Sequence, residues 1–306
     1  MSAPPGRVVV TGAGGFIGRG LCAAFAGGGH AFEGWSRERG EGLRGMGDLA
    51  AAPEDALARA LDGADAVVHL AGRAHARVST EQLRRDNVEA SARLARAARR
   101  AGVRRFVHAS SVKVNGESTL PGHPFRPDDA PAPADPYARS KLDAEQAVAQ
   151  VLEGTSTMCT VLRLPLVYGP RVRGNVAALI AAVRAGRALP FAAVRNRRHL
   201  ASLANVVEAI TAVLQAEDTV GGVHFVADAN SISTPELVRA IALAAGVRAR
   251  LYPVPVAVLR IAAAAVGRSE AIARLTGSLE VDTTSLEAST SWRPRPFGID
   301  AVTVAP

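Results

Sequence analysis

The sequence predicts an α/β fold, in which a doubly wound parallel sheet precedes a smaller C-terminal α/β lobe. Short apolar runs alternate with helical patterns through the first half of the chain, which is typical of βαβ units. Residues 8–18, VVVTGAGGFIG, pass from an apolar run through closely spaced glycines into a helix-forming segment. A chain of 306 residues that is 48% hydrophobic can bury one main core and a smaller one. Together these observations favour one main domain with an appended lobe.

The predicted elements follow in order along the chain. Strands are predicted at 7–10, 31–35, 66–70, 105–109 and 160–164, and helices at 15–26, 53–61, 79–101 and 137–152. The stretch 121–136 is predicted to be a loop, because its prolines remove backbone donors and helical dihedral angles. We therefore expect a first domain at 1–165 and a lobe at 166–306, with 204–227 returning to the main sheet as a helix and a strand.

The glycines at the start of the chain indicate a dinucleotide-binding turn. Gly12 permits a tight turn, Gly15 lets backbone N–H groups approach a pyrophosphate, and Gly18 lets the helix pack against the strand. Phe16 and Ile17 lie between these glycines, where the positive end of the helix dipole faces the anion. The alternative is an ordinary strand-to-helix turn in a chain that contains 29 glycines.

The end of the second predicted strand bears on the choice of cofactor. An acidic residue there accepts from the ribose 2′-hydroxyl of NAD, whereas an arginine accommodates the 2′-phosphate of NADP. Here the strand ends in Ser36 and Arg37, and the nearest carboxylate, Glu33, lies within the strand. The sequence therefore favours NADP(H) over NAD(H).

A serine, a tyrosine and a lysine form the predicted catalytic group. Ser111 follows the strand 105–109, and Tyr137 and Lys141 share one helix face at positions i and i+4. An ammonium group beside a phenol lowers the phenol pKa and makes it a usable general acid or base. Asn87 points inward from the helix 79–101, where it has either a structural hydrogen bond or a functional role.

Composition excludes several other functions. The net charge is +8, but aromatic residues make up only 4% of the chain, which disfavours a nucleic-acid surface. Cys22 and Cys159 show no metal or redox spacing, so we expect a reducing, cytoplasmic location and no metal. No signal-peptide pattern precedes the first strand. The segment 254–266 carries Arg260 and is too short for membrane insertion, so it is expected to be a buried or interfacial helix.

Beyond these patterns, several motifs resemble one enzyme family. They are TGAGGFIG (11–18), GDL (47–49), HLAG (69–72), SSVKVNG (110–116), PYARSK (136–141) and RLPLVYGP (163–170). The chain resembles the extended short-chain dehydrogenase/reductases, specifically the NAD-dependent epimerase/dehydratase group that modifies nucleotide sugars. Within that group it looks most similar to bacterial enzymes of UDP-N-acetyl-amino sugars, which include 4-keto-sugar reductases and UDP-glucose 4-epimerase-like proteins.

The resemblance implies a role for each matching position. Ser111, Tyr137 and Lys141 match the family's catalytic residues. The residues that it places around the cofactor, besides the glycine turn and the end of the second strand, are Asp48, Leu49, Leu70, Ala71, Gly72, Asn87, Tyr137, Lys141, Pro165 and Tyr168. Asn175 and Arg198 fall where family members hold the nucleotide-sugar diphosphate, and a guanidinium suits a phosphate. Lys113 either lies near the sugar or diphosphate or is a surface residue. The family also implies a homodimer, in which the helices 79–101 and 137–152 pair.

Four positions depart from the family pattern: Ser36, Asn115, Leu166 and Ala204. These departures weaken a prediction of epimerase activity and leave the hydride-transfer residues in place. The predicted reaction is therefore reduction of a 4-keto hexose on a UDP-sugar by NADPH, with Tyr137 as the general acid. A UDP-hexose 4-epimerase and a non-catalytic NADP-sensing regulator remain as alternatives.

Overall fold

A computed structural model describes residues 6–73 and 78–300, and it confirms the doubly wound parallel sheet. Seven strands pair in the order β3-β2-β1-β4-β5-β6-β9, and all pairs are parallel. These strands are β1 Arg7–Thr11, β2 Phe32–Ser36, β3 Leu43–Gly45, β4 Ala64–His69, β5 Arg105–Ser111, β6 Met158–Leu164 and β9 Gly222–Phe225. The strands β7 Val167–Tyr168 and β8 Ala201–Ser202 form a separate parallel pair.

Helices cover both faces of the main sheet, as a parallel sheet requires. In chain order the α-helices of the described residues, including those of the C-terminal part, are α1 Phe16–Gly27, α2 Glu54–Leu61, α3 Thr80–Leu83, α4 Ala90–Arg100, α5 Pro136–Leu152, α6 Asn175–Arg184, α7 Leu203–Gln215, α8 Thr234–Ala244, α9 Val256–Ala265, α10 Ser269–Thr276 and α11 Thr284–Ser289. Along β1, Val8 and Val10 pack into the core with α1 and α7, while Val9 packs into the core with α2 and α4. This alternation follows from the two-residue period of a strand.

Two predicted elements differ in the structure. The short strand β3 was not predicted, because its three residues include the exposed Arg44 and carry no apolar pattern. The predicted helix 79–101 is interrupted by a π-helical segment, Arg84–Glu89, between α3 and α4. Ser79 caps the start of α3, where its Oγ accepts from the Gln82 amide, and the Gln82 side chain donates to Asp86.

The C-terminal part of the chain has cores of its own, built mainly from α6, α8, α9 and α10. The segment 254–266 contains α9, of which only Leu259 and Ala263 are buried. Ile261 on the same helix is 72% exposed, so of the two alternatives the buried helix is wrong and the interfacial helix stays a prediction. Across the described ranges 6–73 and 78–300, no helix combines the length and apolar character needed to cross a bilayer. The division into domains at 165 stays a prediction.

Candidate active site

A cavity lies at the carboxyl ends of the strands, where the order of the sheet reverses between β1 and β4. Open parallel sheets bind ligands at such a switch point. The cavity has a volume of about 330 Å³. Nine of the predicted cofactor residues line it: Gly12, Gly15, Ser36, Arg37, Asp48, Leu49, Leu70, Ala71 and Gly72.

The glycine turn has no room for larger side chains. Gly12 has a φ of 70°, and a Cβ atom built on it would lie 2.6 Å from the Ala71 nitrogen. A Cβ on Gly18 would lie 2.2 Å from the Gly12 carbonyl oxygen. The tight turn and the close packing of helix on strand are therefore both present, and each depends on glycine.

The start of α1 is suited to an anion. Gly15 precedes the helix without a side-chain cap, and the first turn contains no acidic residue. By contrast, Asp135 caps α5 and Ser202 caps α7 through hydrogen bonds from amides of the first turn. The uncapped N–H groups of α1 therefore fit a pyrophosphate, which would supply the missing acceptors.

Ser111, Tyr137 and Lys141 come together from β5 and α5. Ser111 is the last residue of β5, and Tyr137 lies in the first turn of α5, whose N-cap Asp135 accepts from the Ala138 amide at 2.7 Å. Lys141 Nζ donates to the Ala109 carbonyl oxygen at 2.6 Å. A Cβ atom on Gly72 would lie 3.9 Å from Lys141 Nζ, so the lysine reaches the edge of the cavity.

The pKa of Tyr137 corrects one prediction. Burial raises this pKa above its ordinary value, a hydrogen bond with Ser111 lowers it, and the Asp135 carboxylate raises it further. Lys141 does not lower the pKa of the phenol as expected; its ammonium donates to the Ala109 carbonyl oxygen. Burial lowers the pKa of Lys141 to about 8, although Glu145 raises it. Tyr137 is therefore protonated at neutral pH.

A buried ion pair lies behind the catalytic group. Arg163 Nη2 donates to Glu145 Oε2 at 2.6 Å, and both side chains are almost fully buried. Ser110 also donates to Glu145, and Arg163 Nη1 donates to Asn115 Oδ1 at 2.9 Å. Asn115, one of the departures from the family pattern, is thus tied to the strand pair β5–β6 and is buried.

Asn87 has a structural role whether or not it also touches a ligand. Its Oδ1 accepts from the Arg73 amide at 2.7 Å, and its Nδ2 donates to Ser140 Oγ at 2.9 Å. A Cβ atom on Gly72 would lie 3.0 Å from Asn87 Oδ1. The asparagine therefore holds the loop after β4 against α5, the helix that carries Tyr137 and Lys141.

Asp86 is a charged residue of the cavity that was not predicted from the sequence. Asp86, from the π-helical segment, lines the cavity and binds the Nε of Arg73. Arg37 Nη2 lies 3.7 Å from Asp86 Oδ2. Thr11, Trp35 and Met46 also line the cavity without having been predicted. Asp86 could not have been found from periodicity, because a π-helical turn changes which residues face inward.

The predicted substrate residues have different surroundings. Arg198 is partly buried, and its Nη1 donates to the Gly277 carbonyl oxygen at 3.1 Å. Burial lowers its pKa, Glu117 raises it and Arg274 lowers it, so these charges lie near one another. Lys113 Nζ is held between Glu117 at 2.6 Å and Asp135 at 2.5 Å. Asn175 is exposed at the start of α6.

Some predicted cofactor residues do not line the cavity. Tyr168 is 1% exposed, and its hydroxyl donates to Asp228 at 2.7 Å. It therefore packs in the core of the C-terminal part, so the structure does not bring it to the cleft. Pro165 is buried directly after β6. Phe16 and Ile17 lie in the first turn of α1 and are half-buried. Among the described residues, no cluster of His, Cys, Asp or Glu side chains could hold a metal ion.

The switch-point cleft, the open helix N-terminus and the serine, tyrosine and lysine beside them define the class of extended short-chain dehydrogenase/reductases. A model of the NAD dependent epimerase/dehydratase family matches residues 8–227. The chain belongs to this family and is an enzyme of that type.

Three known proteins illustrate the similarity. A UDP-glucose 4-epimerase of Vibrio cholerae is 35% identical over 255 residues, which cover 81% of this chain and 77% of the relative. A UDP-glucose 4-epimerase of Mycolicibacterium smegmatis is 33% identical over 263 residues, covering 78% and 83%. The structure of MoeE5 in complex with UDP-glucose and NAD superposes with a TM-score of 0.75 at 26% identity, covering 95% of this chain and 94% of MoeE5.

Proposed function

We propose that the protein uses a nicotinamide dinucleotide to carry out hydride transfer at C4 of a UDP-linked hexose, and that its reaction is 4-epimerisation. The observation that carries the proposal is the convergence of Ser111, Tyr137 and Lys141 next to Gly72, which lines the switch-point cavity together with the glycine turn. The names of the curated relatives support the reaction, and the MoeE5 complex supports both ligands.

The residues of the chain fit such a cofactor. Uncapped N–H groups of α1 and the backbone at Gly12 and Gly15 would hold its pyrophosphate. Asp48 and Leu49, on the far wall of the cavity, would flank its adenine. When bound, the nicotinamide ring accepts and supplies hydride.

The side chains of the site then handle the proton and the orientation of the sugar. For the oxidation step Tyr137 must first lose its own proton; as a phenolate it takes the proton of the C4 hydroxyl as C4 becomes a ketone, and it returns that proton when the ketone is reduced on the opposite face. Ser111 holds the sugar oxygen in line with the phenol. Lys141, fixed by Ala109, places its positive charge at the cavity edge near Gly72, where it would bind a ribose hydroxyl. Arg198, with Asn175 and Lys113, would bind the substrate diphosphate.

A second candidate is net reduction of a 4-keto sugar, a reaction that consumes the reduced cofactor and does not interconvert C4 epimers. The raised pKa of Tyr137 favours it, because a protonated phenol is ready to donate to a ketone oxygen. Ser36 and Arg37 also favour it, since they support NADP(H), the usual reductive cofactor, over NAD(H). A regulator without catalysis is disfavoured, because it has no use for the tyrosine, lysine and serine together.

One experiment separates these reactions. The purified protein is incubated with UDP-glucose or UDP-N-acetylglucosamine and a trace of NAD+, and the anomeric protons are followed by NMR. Appearance of the C4 epimer without net reduction of the cofactor supports epimerisation. Stoichiometric oxidation of NADPH by a UDP-4-keto sugar, with no epimer formed from the hexoses, would overturn it in favour of reduction.

We also propose that the protein is cytoplasmic and forms a homodimer through α4 and α5. Analytical ultracentrifugation tests the dimer.

A further inference from the structure

We propose that Asp86 determines how strongly the protein discriminates between a dinucleotide with a 2′-phosphate and one with a free 2′-hydroxyl. It does so by competing with the phosphate for Arg37. The inference rests on the proposed use of a nicotinamide dinucleotide. It assigns a specificity role to a residue that lies about fifty positions from the strand end where this choice is usually made.

The carboxylate of Asp86 faces the same cavity as Ser36 and Arg37. Its side chain is only 4% exposed. Gln82 Nε2 donates to Oδ1 at 2.7 Å, and Arg73 Nε donates to Oδ2. The acidic group missing from the end of β2 is thus supplied from the π-helical segment on the other side of the cleft.

Asp86 is held in place by its neighbours. The adjacent Asn87 binds the backbone N–H of Arg73, while Asp86 binds the side chain of the same arginine. Two consecutive buried polar residues are therefore fixed to one loop residue after β4. Because the side chain cannot turn into solvent without losing these partners, the Asp86 carboxylate is fixed on the cavity wall.

Arg37 is the exposed partner of this ion pair. Its side chain is 60% exposed, and its Nη2 lies 3.7 Å from Asp86 Oδ2, which is an ion pair without a hydrogen bond. Among the ion pairs of residues 6–73 and 78–300, Asp86 is its one partner. The Ser36 hydroxyl already donates to the Glu38 carbonyl oxygen. Arg37 is therefore the donor at the end of β2 that is able to meet a 2′-phosphate.

Competition between the two anions follows from this arrangement. A 2′-phosphate that binds Arg37 must draw the guanidinium away from Asp86 and must lie near a second negative charge. A free 2′-hydroxyl carries no charge and meets neither cost. Asp86 therefore weakens the preference for NADP(H) over NAD(H) that Arg37 would otherwise give. Removing the charge of Asp86 should increase that preference.

The test measures binding of two adenosine fragments, so it does not depend on catalysis. Dissociation constants of 2′,5′-ADP and 5′-ADP are determined by isothermal titration calorimetry for the wild type, Asp86→Asn, Arg37→Ala and the double variant. In Asp86→Asn the preference for 2′,5′-ADP should rise about tenfold, the effect of one charge-assisted hydrogen bond. Arg37→Ala should remove this gain in the double variant, while it changes the wild-type preference by less than about threefold.

Matched controls separate the possible outcomes. Glu38→Gln removes the same charge from an exposed carboxylate next to Arg37 that does not line the cavity, and it should keep the wild-type preference. An unchanged preference in Asp86→Asn would overturn the proposal. If Asp86→Asn does not fold, a loss of about tenfold in Arg37→Ala alone would also overturn it, whereas a small change supports it. Absence of binding by both fragments in the wild type would instead contradict the proposed dinucleotide function.

Discussion

The ammonium group of Lys141 donates a 2.6 Å hydrogen bond to the carbonyl oxygen of Ala109, two residues before Ser111 on β5. Because Lys141 lies one turn after Tyr137 on α5, this bond ties the helix that carries the phenol to the strand that carries the serine. The lysine is 7% exposed, and burial lowers its pKa to about 8. The positive charge beside the cavity is therefore held in place at a cost in stability.

That cost predicts a pH dependence of the free energy of unfolding. The pKa of Lys141 is about 8 in the folded chain, against an ordinary value of 10.5, so between these values the unfolded chain binds more protons. Stability should therefore rise with pH in this window. From about pH 8 to 10 the free energy of unfolding should increase by about 2–3 kcal/mol more in the wild type than in Lys141→Met.

Urea denaturation at a series of pH values measures this difference. The window ends near pH 10, because the raised pKa of Tyr137 has the opposite effect above that value. Equal slopes in the two proteins would show that the ammonium is not buried as described.

Tyr137 and Ser111 should differ in the size of their contributions to kcat. Tyr137→Phe removes the proton that is transferred, so kcat should fall about 10²–10⁴-fold. Ser111→Ala removes a hydrogen bond to the phenol and the sugar oxygen, so its loss should be smaller, about 10-fold to 10²-fold. Initial rates with saturating cofactor and fluorescence titration of the cofactor separate catalysis from binding. A Tyr137→Phe variant with wild-type kcat would contradict the catalytic assignment.

Local patterns were sufficient for most of the fold. The run of valines before Gly12 predicts β1, because a strand buried on both faces reads as a continuous apolar run. The i, i+4 spacing predicts that Tyr137 and Lys141 share one face of α5. Such short-range patterns carry their own information about structure.

The features that sequence reasoning missed depend on distant partners. Asp86 and Arg37 meet only because β2 and the π-helical segment face each other across the switch point. The pKa of Tyr137 depends on its burial in the folded chain and on Ser111, which comes from a different element. Tyr168 lies in a motif shared with the family, yet Asp228, sixty residues later, holds its hydroxyl in the core. Motif spacing therefore identifies candidate site residues, but it does not predict the distant residues that contact them in the fold.

Close packing at the glycine turn predicts a strong effect from one methyl group. Gly18→Ala places a Cβ atom 2.2 Å from the Gly12 carbonyl oxygen, so α1 must shift away from β1. We expect a loss of about 1–3 kcal/mol in stability and a large loss of cofactor affinity. Gly27→Ala, near the other end of α1, has no atom within 4 Å of the added methyl. It should be neutral or slightly stabilising in thermal denaturation, and an equal effect of the two substitutions would contradict the packing argument.

Arg198 and its neighbour Arg197 provide a matched pair on the substrate side. Arg198 is partly buried near Arg274 and Glu117, whereas Arg197 is largely exposed and pairs with Glu280 at 3.1 Å. If Arg198 binds a diphosphate, Arg198→Met should raise KM for the UDP-sugar about tenfold or more and leave cofactor affinity unchanged. Arg197→Met should change KM little. Steady-state kinetics with both variants decide this, and a larger effect from Arg197 would place the diphosphate elsewhere.

The buried ion pair behind the site should be costly to break and cheaper to replace. Arg163→Met leaves the Glu145 carboxylate buried without its partner, so the free energy of unfolding should fall by about 3–5 kcal/mol. The double variant Arg163→Met with Glu145→Leu removes both charges and should recover much of that loss. In both variants Asn115 loses its donor, so activity should stay reduced even where stability returns.

Arg100→Met, which breaks an exposed pair with Asp55, should cost less than about 1 kcal/mol. Urea denaturation of the wild type and these three variants measures the changes in stability, and full activity in the restored double variant would show that the pair stabilises the fold without positioning the turn after Ser111.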